Sequence, residues 1–241
     1  MPVPRSHLGL IIGAIVLAVV VATVLTPGVG SAAIDTNPVH RAKVRELEVA
    51  LTFDDGPDPR YTPLILADLR RYDANATFFV MGNAADKYPA LVKQEITQGS
   101  EVGVHTFDQH VRFPSITSTA GDRQIDLGRT AVTKITGDKP TLFRPPYGAW
   151  RPWVVSAAQD QGMKTILWSV CFDHHSAKTP RAISSRVLSL VRPGEILLLH
   201  DARGDRRKTT SALPIVLRGL KRRGYKVVTV SHLLADAAAG K

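Results

Sequence analysis

Cysteine is nearly absent from the sequence, since Cys171 is the only one among 241 residues. One thiol cannot build a disulfide framework or a four-thiolate zinc site, so both kinds of stabilisation are excluded. We interpret Cys171 as a small buried hydrophobic residue. The glycine-rich patterns GxGxxG and GxxxxGKS/T are also missing, which argues against a nucleotide-binding open sheet.

Acidic residues are outnumbered: the chain has 21 Asp and Glu against 31 Lys and Arg, a formal net charge of +10 and an isoelectric point near 10.0. A surface of this sign attracts polyanions such as nucleic acid, anionic lipid head groups or an acidic cell-wall polymer. Much of the excess lies late in the chain, between Arg203 and Lys226. We interpret the run from Lys221 to Arg223 as the solvated face of a helix.

An uncharged run extends from Leu8 to Leu25, and Arg5 precedes it. Its 18 residues are long for a signal-peptide core and just enough to cross a bilayer. Small residues from Gly30 to Ala33 suit signal-peptidase cleavage. We predict a signal peptide or transmembrane signal-anchor over residues 1–32, a linker over 33–45 and a single catalytic domain over 46–241.

The catalytic part is expected to be exported in either case, because the basic residue before the run predicts that the chain after it lies outside. The expected location is therefore extracellular or at the cell surface. Nucleic acid is not an expected partner, and membrane contact is expected only through the N-terminal segment.

The rest of the chain alternates apolar strands with helices. Strands are predicted over 47–53, 76–80, 101–104, 141–143, 165–170, 195–199 and 225–230. Helices are predicted over 63–72, 88–98, 123–136, 154–161, 182–191 and 211–223. This alternation predicts a mostly parallel sheet covered by helices. Because reactive side chains follow several different strands, the α/β fold expected is a closed or nearly closed (β/α) barrel.

Two adjacent carboxylates, Asp54 and Asp55, end the first predicted strand, and Gly56-Pro57 then breaks it. Chemistry in α/β folds is usually placed at such strand tips. Neighbouring residues on an extended chain point to opposite faces, so one carboxylate can hold a metal while the other handles a proton. A simple turn is the alternative interpretation of these residues.

A histidine pair, His105 and His110, follows the strand over 101–104. Two imidazoles and one carboxylate make a three-ligand metal site with positions left open for water and substrate. Asp55 is the carboxylate we assign to the metal, which leaves Asp54 free as a base.

Four segments resemble motifs one, two, three and five of the polysaccharide deacetylases, which are carbohydrate esterase family four, the NodB-homology domain. They are Thr52–Pro57, His105–His110, Arg144–Gly148 and Leu197–Asp201. The similarity extends from about Glu48 to about Leu234. The resemblance implies a distorted (β/α) barrel, one divalent metal ion, usually zinc, and hydrolysis of N-acetyl groups on glycans.

The resemblance also implies a role for each site residue. Asp55, His105 and His110 would hold the metal, and Asp54 would be the catalytic base. Arg144 would hold Asp54 by a bidentate contact.

By the same resemblance, His200 would protonate the leaving amine. The backbone N–H of Tyr147 would face the developing oxyanion. Leu198 would line the pocket for the acetate methyl group, with a plain core role as its alternative.

The second motif departs from the family pattern, because its histidines are five residues apart where four is common. Asp108 is therefore the alternative third ligand beside His110.

The fourth motif departs further. Aligned without gaps, Cys171 and His174 take the places of its two aspartates, and His175 takes that of its tryptophan. With one deletion, Asp173 fills the second aspartate position, and we assign Asp173 to orient His200. The pair His174-His175 is interpreted as a solvated loop, with metal binding as the alternative.

The sequence thus predicts an exported, metal-dependent glycan N-deacetylase, expected to be a monomer. Its export and basic charge favour peptidoglycan amino sugars as substrate, with chitin-type oligosaccharides second. A non-catalytic glycan-binding protein on the same barrel and a metal-dependent hydrolase of other amides or esters are the alternatives.

Overall fold

One curved sheet of parallel strands supports the other elements. A computed structural model of the chain describes residues 1–2, 37–108, 115–173 and 179–241. In these ranges the strands are β1 Glu48–Asp54, β2 Thr77–Val80, β3 Glu101–Val104, β4 Leu142–Phe143, β5 Lys164–Thr165, β6 Val170–Cys171, β7 Ile196–His200 and β8 Lys226–Val228. The helices are α1 Thr62–Arg71, α2 Gly82–Lys87, α3 Pro89–Thr97, α4 Ser118–Thr136, α5 Pro152–Asp160, α6 Pro180–Leu190, α7 Arg207–Arg222 and α8 Val230–Ala238.

Strand β1 lies at the centre of the sheet, whose order is β5-β4-β3-β2-β1-β7-β6 with β8 also paired to β1. Ala50 of β1 pairs in parallel with both Ile196 of β7 and Val228 of β8. These two strands therefore flank opposite edges of β1. All seven residues of β1 are buried, as expected for a central parallel strand.

The sheet must be strongly curved, because its two end strands are close in sequence. Six gaps between neighbouring strands would make a flat sheet about 29 Å wide. The five peptide steps from Thr165 in β5 to Val170 in β6 span at most about 18 Å. The predicted (β/α) barrel is confirmed as a half-barrel of parallel strands with helices. The single strand predicted over 165–170 is wrong, because its two ends pair with opposite ends of the sheet.

The two faces of β1 pack against different neighbours. Val49, Leu51 and Phe53 belong to a large apolar cluster that includes residues of α1 and α7. Ala50 belongs to a second cluster that contains Phe79 and residues of α8. Because side chains alternate along a strand, Thr52 and Asp54 lie on the same face as Ala50, and β1 ends there with a carboxylate.

Two helices were not predicted from the sequence. The six-residue α2 follows β2 directly and is too short to show a clear period. The helix α8 begins where the last strand was expected to end, and the Thr229 side chain caps it by accepting from the backbone N–H of His232. Strand β8 is correspondingly short.

Residues 37–45, which were predicted to be linker, pack onto the sheet instead. The Val39 N–H donates to the Thr165 carbonyl at 2.9 Å, and the Leu167 N–H donates to the Val39 carbonyl at 2.7 Å. Ala42 is buried, and its N–H donates to the Gly194 carbonyl at 2.8 Å. The bonds of Val39 satisfy backbone groups at the edge of the end strand β5, and that of Ala42 satisfies the carbonyl of Gly194 before β7. The linker prediction is therefore wrong for this stretch.

The predicted signal or anchor segment lies almost entirely outside the described residues, and the boundary at residue 32 stays a prediction. In the ranges that the structure describes, no helix is long and apolar enough to cross a membrane. The exposed residues from Lys221 to Arg223 at the end of α7 agree with the predicted solvated helix face.

Gly128 allows α4 to approach the loop after β3, and we expect Gly128→Ala to disrupt this contact. A Cβ atom at Gly128 would lie 2.7 Å from the backbone oxygen of Thr106, which also accepts from the Gly82 N–H. We expect a loss of about 1–3 kcal/mol in the free energy of unfolding, measured with urea, because backbone cannot move aside easily.

The matched control is Gly121→Ala in the same helix. Its Cβ would come too close only to the end of the Trp153 ring, which can shift, and would make an ordinary contact with Ile116. Alanine also gains about 1 kcal/mol over glycine in a helix. Equal losses for the two variants would contradict this account of α4 packing.

Candidate active site

A buried ion pair joins the tip of β1 to the segment after β4. Arg144 is fully buried, and its Nη1 donates to Asp54 Oδ1 at 2.7 Å and to Thr52 Oγ1 at 2.7 Å. Its Nε donates to the Ile166 carbonyl at 3.2 Å, and its Nη2 donates to the Leu167 carbonyl at 2.9 Å. Every nitrogen of the guanidinium therefore has an acceptor, as a buried charge requires.

The bidentate contact expected between Arg144 and Asp54 is wrong. A single nitrogen, Nη1, reaches the carboxylate, because the carbonyls of the Ile166-Leu167 segment take the other two. The guanidinium also lies 4.0 Å from the centre of the Phe79 ring. Burial lowers the pKa of Arg144, and the Asp54 charge opposes this shift.

His105 and Asp55 face each other beside this pair. His105 Nδ1 lies 2.8 Å from the Arg144 carbonyl, which can only accept, so Nδ1 carries the proton. His105 Nε2 then carries the lone pair and lies 3.6 Å from Asp55 Oδ1 and 3.9 Å from Asp54 Oδ2. An imidazole nitrogen oriented by a carbonyl and set against a carboxylate suits a divalent metal ion. His110 lies outside the described residues, so the third ligand stays a prediction.

His200, at the end of β7, is held by Asp173. His200 Nδ1 lies 2.8 Å from Asp173 Oδ1, and the His200 backbone N–H donates to Asp173 Oδ2 at 2.9 Å. Thr209 Oγ1 donates to the same Oδ2 at 2.8 Å. The structure therefore places Asp173 where the deletion alignment of the fourth motif puts its second aspartate. The alternatives, His174 and His175, lie outside the described residues.

The electrostatics of this pair favour a charged histidine. Burial opposes protonation of His200, but its hydrogen bond to Asp173 and the negative charges of Asp173, Asp54 and Asp55 outweigh it, so the pKa of His200 is raised. For Asp173, burial is likewise the largest effect and opposes ionisation, yet His200 and Arg206 outweigh it and lower the pKa of Asp173.

These groups line one cavity of about 490 Å³ at the carboxyl ends of the strands. Six of its lining residues were predicted as site residues: Asp54, Asp55, His105, Tyr147, Leu198 and His200. Arg144 and Asp173 are not in the lining and contact it through Asp54 and His200. Cys171 lines the cavity and is only partly buried, so its interpretation as a buried hydrophobic residue is wrong.

The comparisons with known proteins point to the same family. Residues 41–166 match the family model for polysaccharide deacetylase. A peptidoglycan-N-acetylglucosamine deacetylase of Bacillus cereus is 40% identical over 188 residues, which are 77% of this chain and 87% of that protein. The chain belongs to the polysaccharide deacetylase family. The resemblance of its motifs and the predicted enzyme class, a hydrolase of non-peptide carbon–nitrogen bonds, are thereby confirmed.

Two further relatives show how much of this chain resembles known proteins. The solved structure of the peptidoglycan deacetylase PdaC from Bacillus subtilis has a TM-score of 0.74 and 32% identity, covering 81% of this chain and 93% of that one. The peptidoglycan-N-acetylglucosamine deacetylase PgdA of Listeria monocytogenes is 37% identical over 82% of this chain, which spans only 41% of its length. Members of this family are metal-dependent in general, in agreement with the predicted divalent metal.

Arg206 is a site residue of this deacetylase that the sequence analysis counted only as a basic residue. Its Nη2 lies 3.9 Å from Asp55 Oδ2, its Nη1 lies 3.9 Å from Asp173 Oδ2, and its Nε donates to the Ala202 carbonyl at 2.6 Å. Arg206 therefore neutralises charge on both sides of the cavity. Its position just after the fifth motif was the only signal for it in the sequence.

Non-glycine residues with positive φ concentrate around the deacetylase site. They are Asp55, Thr106, Tyr147 and Arg203, with φ of 78°, 65°, 59° and 57°. Asp55, Tyr147 and Arg203 line the cavity, and Thr106 directly follows the lining residue His105. Asp73, the only other one in the described ranges, is neither in the lining nor next to a lining residue in the chain. Left-handed backbone costs free energy in such residues and tends to occur at functional sites.

A second buried carboxyl group lies behind the tip of β1. Burial raises the pKa of Asp201 to about 7, and the charges of Asp55 and Asp54 add to the rise. Thr62 Oγ1 donates to Asp201 Oδ2 at 2.5 Å. A Cβ at Gly56 would overlap the Asp201 carboxyl group, so the glycine of the first motif is needed for this close approach.

Arg144→Gln is expected to destabilise the fold by about 3–5 kcal/mol, because it leaves the buried Asp54 charge without its partner. Asp54→Asn should partly restore stability in the Arg144→Gln background. A double-mutant cycle measured by urea unfolding tests this coupling. Strictly additive losses would show that the ion pair does not hold the two elements together.

Asp173→Asn is expected to lower the pKa of His200, because it removes the negative charge that favours the imidazolium. In the wild type, the raised pKa keeps His200 protonated to a higher pH than an ordinary histidine. An NMR titration of the histidine ring protons measures the shift directly. Asp126→Asn on the exposed face of α4 is the control, and equal pKa values in all three proteins would refute the assignment.

Proposed function

We propose that the chain is an exported, metal-dependent deacetylase that removes N-acetyl groups from peptidoglycan amino sugars. One observation carries the proposal: a held base, Asp54 with Arg144, and a held acid, His200 with Asp173, both reach the same cavity. Hydrolysis of an amide needs both, because water must lose a proton and the amine must gain one before it leaves.

Asp55 and His105, with His110 or Asp108 as third ligand, would hold one divalent metal ion, for which we propose zinc. When bound, the ion supplies a Lewis acid that polarises the acetamide carbonyl.

Asp54 acts as the base through one particular oxygen. Its Oδ1 accepts the hydrogen bond from Arg144, so Oδ2 is the atom that takes the proton from the attacking water. The Arg144 contact fixes the orientation of the carboxylate.

His200 acts as the acid through Nε2, because its Nδ1 proton is donated to Asp173. The neutral amine then leaves in place of a poor amide anion. The backbone N–H of Tyr147 faces the oxygen that becomes negative, and Leu198 receives the acetate methyl group. The left-handed backbone and the cavity position of Tyr147 agree with this role.

Peptidoglycan is the proposed substrate because the named relatives act on it and because the chain carries a run suited to export and a net charge of +10. The proposed location is the cell surface or the extracellular space, with the membrane contacted only through the N-terminal segment. We propose a monomer whose partner is the glycan itself.

A non-catalytic glycan-binding protein is the second candidate. Cys171 favours it, since it lines the cavity where the fourth motif usually carries a carboxylate. The complete base and acid pairs oppose it, because a binding protein needs neither.

The test is acetate release by the full chain in mild detergent from peptidoglycan, from an N-acetylglucosamine oligomer and from an aryl acetate. We expect release from peptidoglycan that chelator abolishes, that zinc restores, and that Asp54→Asn lowers by about 10²- to 10⁴-fold. Asp126→Asn, an exposed carboxylate on α4, should leave the rate unchanged.

Two outcomes would overturn the proposal. Glycan binding without acetate release would support the binding protein. Release from the aryl acetate alone would support a hydrolase of other esters.

A further inference from the structure

Arg203 borders two adjoining cavities at the active site. It follows β7 by three residues, is exposed, and lines the catalytic cavity of about 490 Å³. A neighbouring cavity of about 500 Å³ also has Arg203 and Asp55 in its lining. A glycan chain longer than one sugar can therefore occupy both, with Arg203 beside the sugar next to the reacting one.

The guanidinium of Arg203 has no partner in the described parts of the fold. Two other arginines of the same turn are engaged: Arg206 contacts Asp55 and Asp173, and Arg207 pairs with Asp205 at 2.6 Å. Arg203 alone among the three forms no hydrogen bond or ion pair with the described residues. Its planar group of N–H donors is available to a ligand.

The backbone conformation at Arg203 is energetically unfavourable for an arginine. Its φ of 57° is a left-handed conformation that glycine adopts without strain and that other residues adopt at a cost. No hydrogen bond or ion pair of the side chain with the described residues offsets that cost. An interaction outside the chain would offset it, and the two cavities are where the side chain can make one.

The second cavity has a further positive group at its edge. Lys87, at the end of α2, lines it and is exposed. Asp58, an acidic residue in the same lining, is already paired with Arg60 at 2.7 Å. Lys87 and Arg203 are thus two cations of this lining, which also carries the carboxylates of Asp55 and Asp108.

We propose that Arg203 binds a carboxylate on the glycan next to the sugar that is deacetylated, so that the enzyme selects acid-bearing strands over neutral ones. This inference rests on the proposed function and specifies its substrate. Arginine and carboxylate form paired, charge-assisted hydrogen bonds that a neutral N-acetylglucosamine oligomer cannot make. Peptidoglycan offers carboxylates from two sources: the lactyl group of muramic acid where no peptide is attached, and the stem peptide where one is.

The experiment compares steady-state kinetics of the full chain on three substrates. They are peptide-free glycan strands with lactyl carboxylates, strands that keep their stem peptides, and a neutral N-acetylglucosamine oligomer. Arg203→Gln removes the positive charge, whereas Arg203→Lys keeps the charge but lacks the planar pair of N–H donors. Arg207→Gln is the matched control outside both cavities.

We expect Arg203→Gln to lower kcat/KM at least tenfold on one or both acid-bearing strands, through KM, and to change the neutral oligomer much less. Arg203→Lys should recover part of the loss, and Arg207→Gln should change none of the three. The strand type that responds identifies the carboxylate source.

An equal effect of Arg203→Gln on all substrates, no effect on any, or the same effect from Arg207→Gln would overturn the inference while leaving the deacetylase activity established. Absence of acetate release by the wild type from every substrate would overturn the proposed function itself. Circular dichroism melting of each variant separates folding defects from both results.

Discussion

The active site depends on one buried cation. The side chain of Arg144 holds Asp54, and the backbone carbonyl of the same residue holds His105. A guanidinium without solvent must have all its donors satisfied, or the fold loses several kcal/mol. Because Arg144 also binds the carbonyls of Ile166 and Leu167, its charge fixes the chain between β5 and β6 and the carboxylate on β1 relative to each other.

The curvature of the sheet brings the groups held by Arg144 together with the other reactive groups of the site. Strands β1, β3 and β7 each contribute a reactive group at or just after the carboxyl end: Asp54, His105 and His200. Parallel strands align these ends on one edge, and curvature brings them around a single cavity. The positive charges of Arg144 and Arg206 lie against the carboxylates of Asp54, Asp55 and Asp173 and partly offset their mutual repulsion in a largely buried space.

Much of this was accessible from the sequence, and the errors have physical causes. The strand tips and their motifs were correctly located because apolar runs and glycine or proline breaks are local signals. The strand predicted over 165–170 was wrong because pairing partners decide where a strand ends. Residues 37–45 were wrongly assigned to a linker because their backbone hydrogen bonds to the sheet leave no local signal in the sequence. The bidentate contact of Arg144 failed because carbonyls from a distant segment compete for its donors. Arg206 was missed because its contacts involve residues far away in sequence.

The sequence by itself determined the family, the order of the motifs and the residue types available for chemistry, since these are written in short local patterns. Only the tertiary structure decided which oxygen of Asp54 is free, which nitrogen of His105 faces Asp55, and that Asp173 holds His200. It also decided that Arg203 lies between two cavities and forms no ion pair with the residues that the structure describes. These facts depend on distances between atoms that are far apart in the chain, 90 positions for Arg144 and Asp54, and local pattern carries no information about such distances.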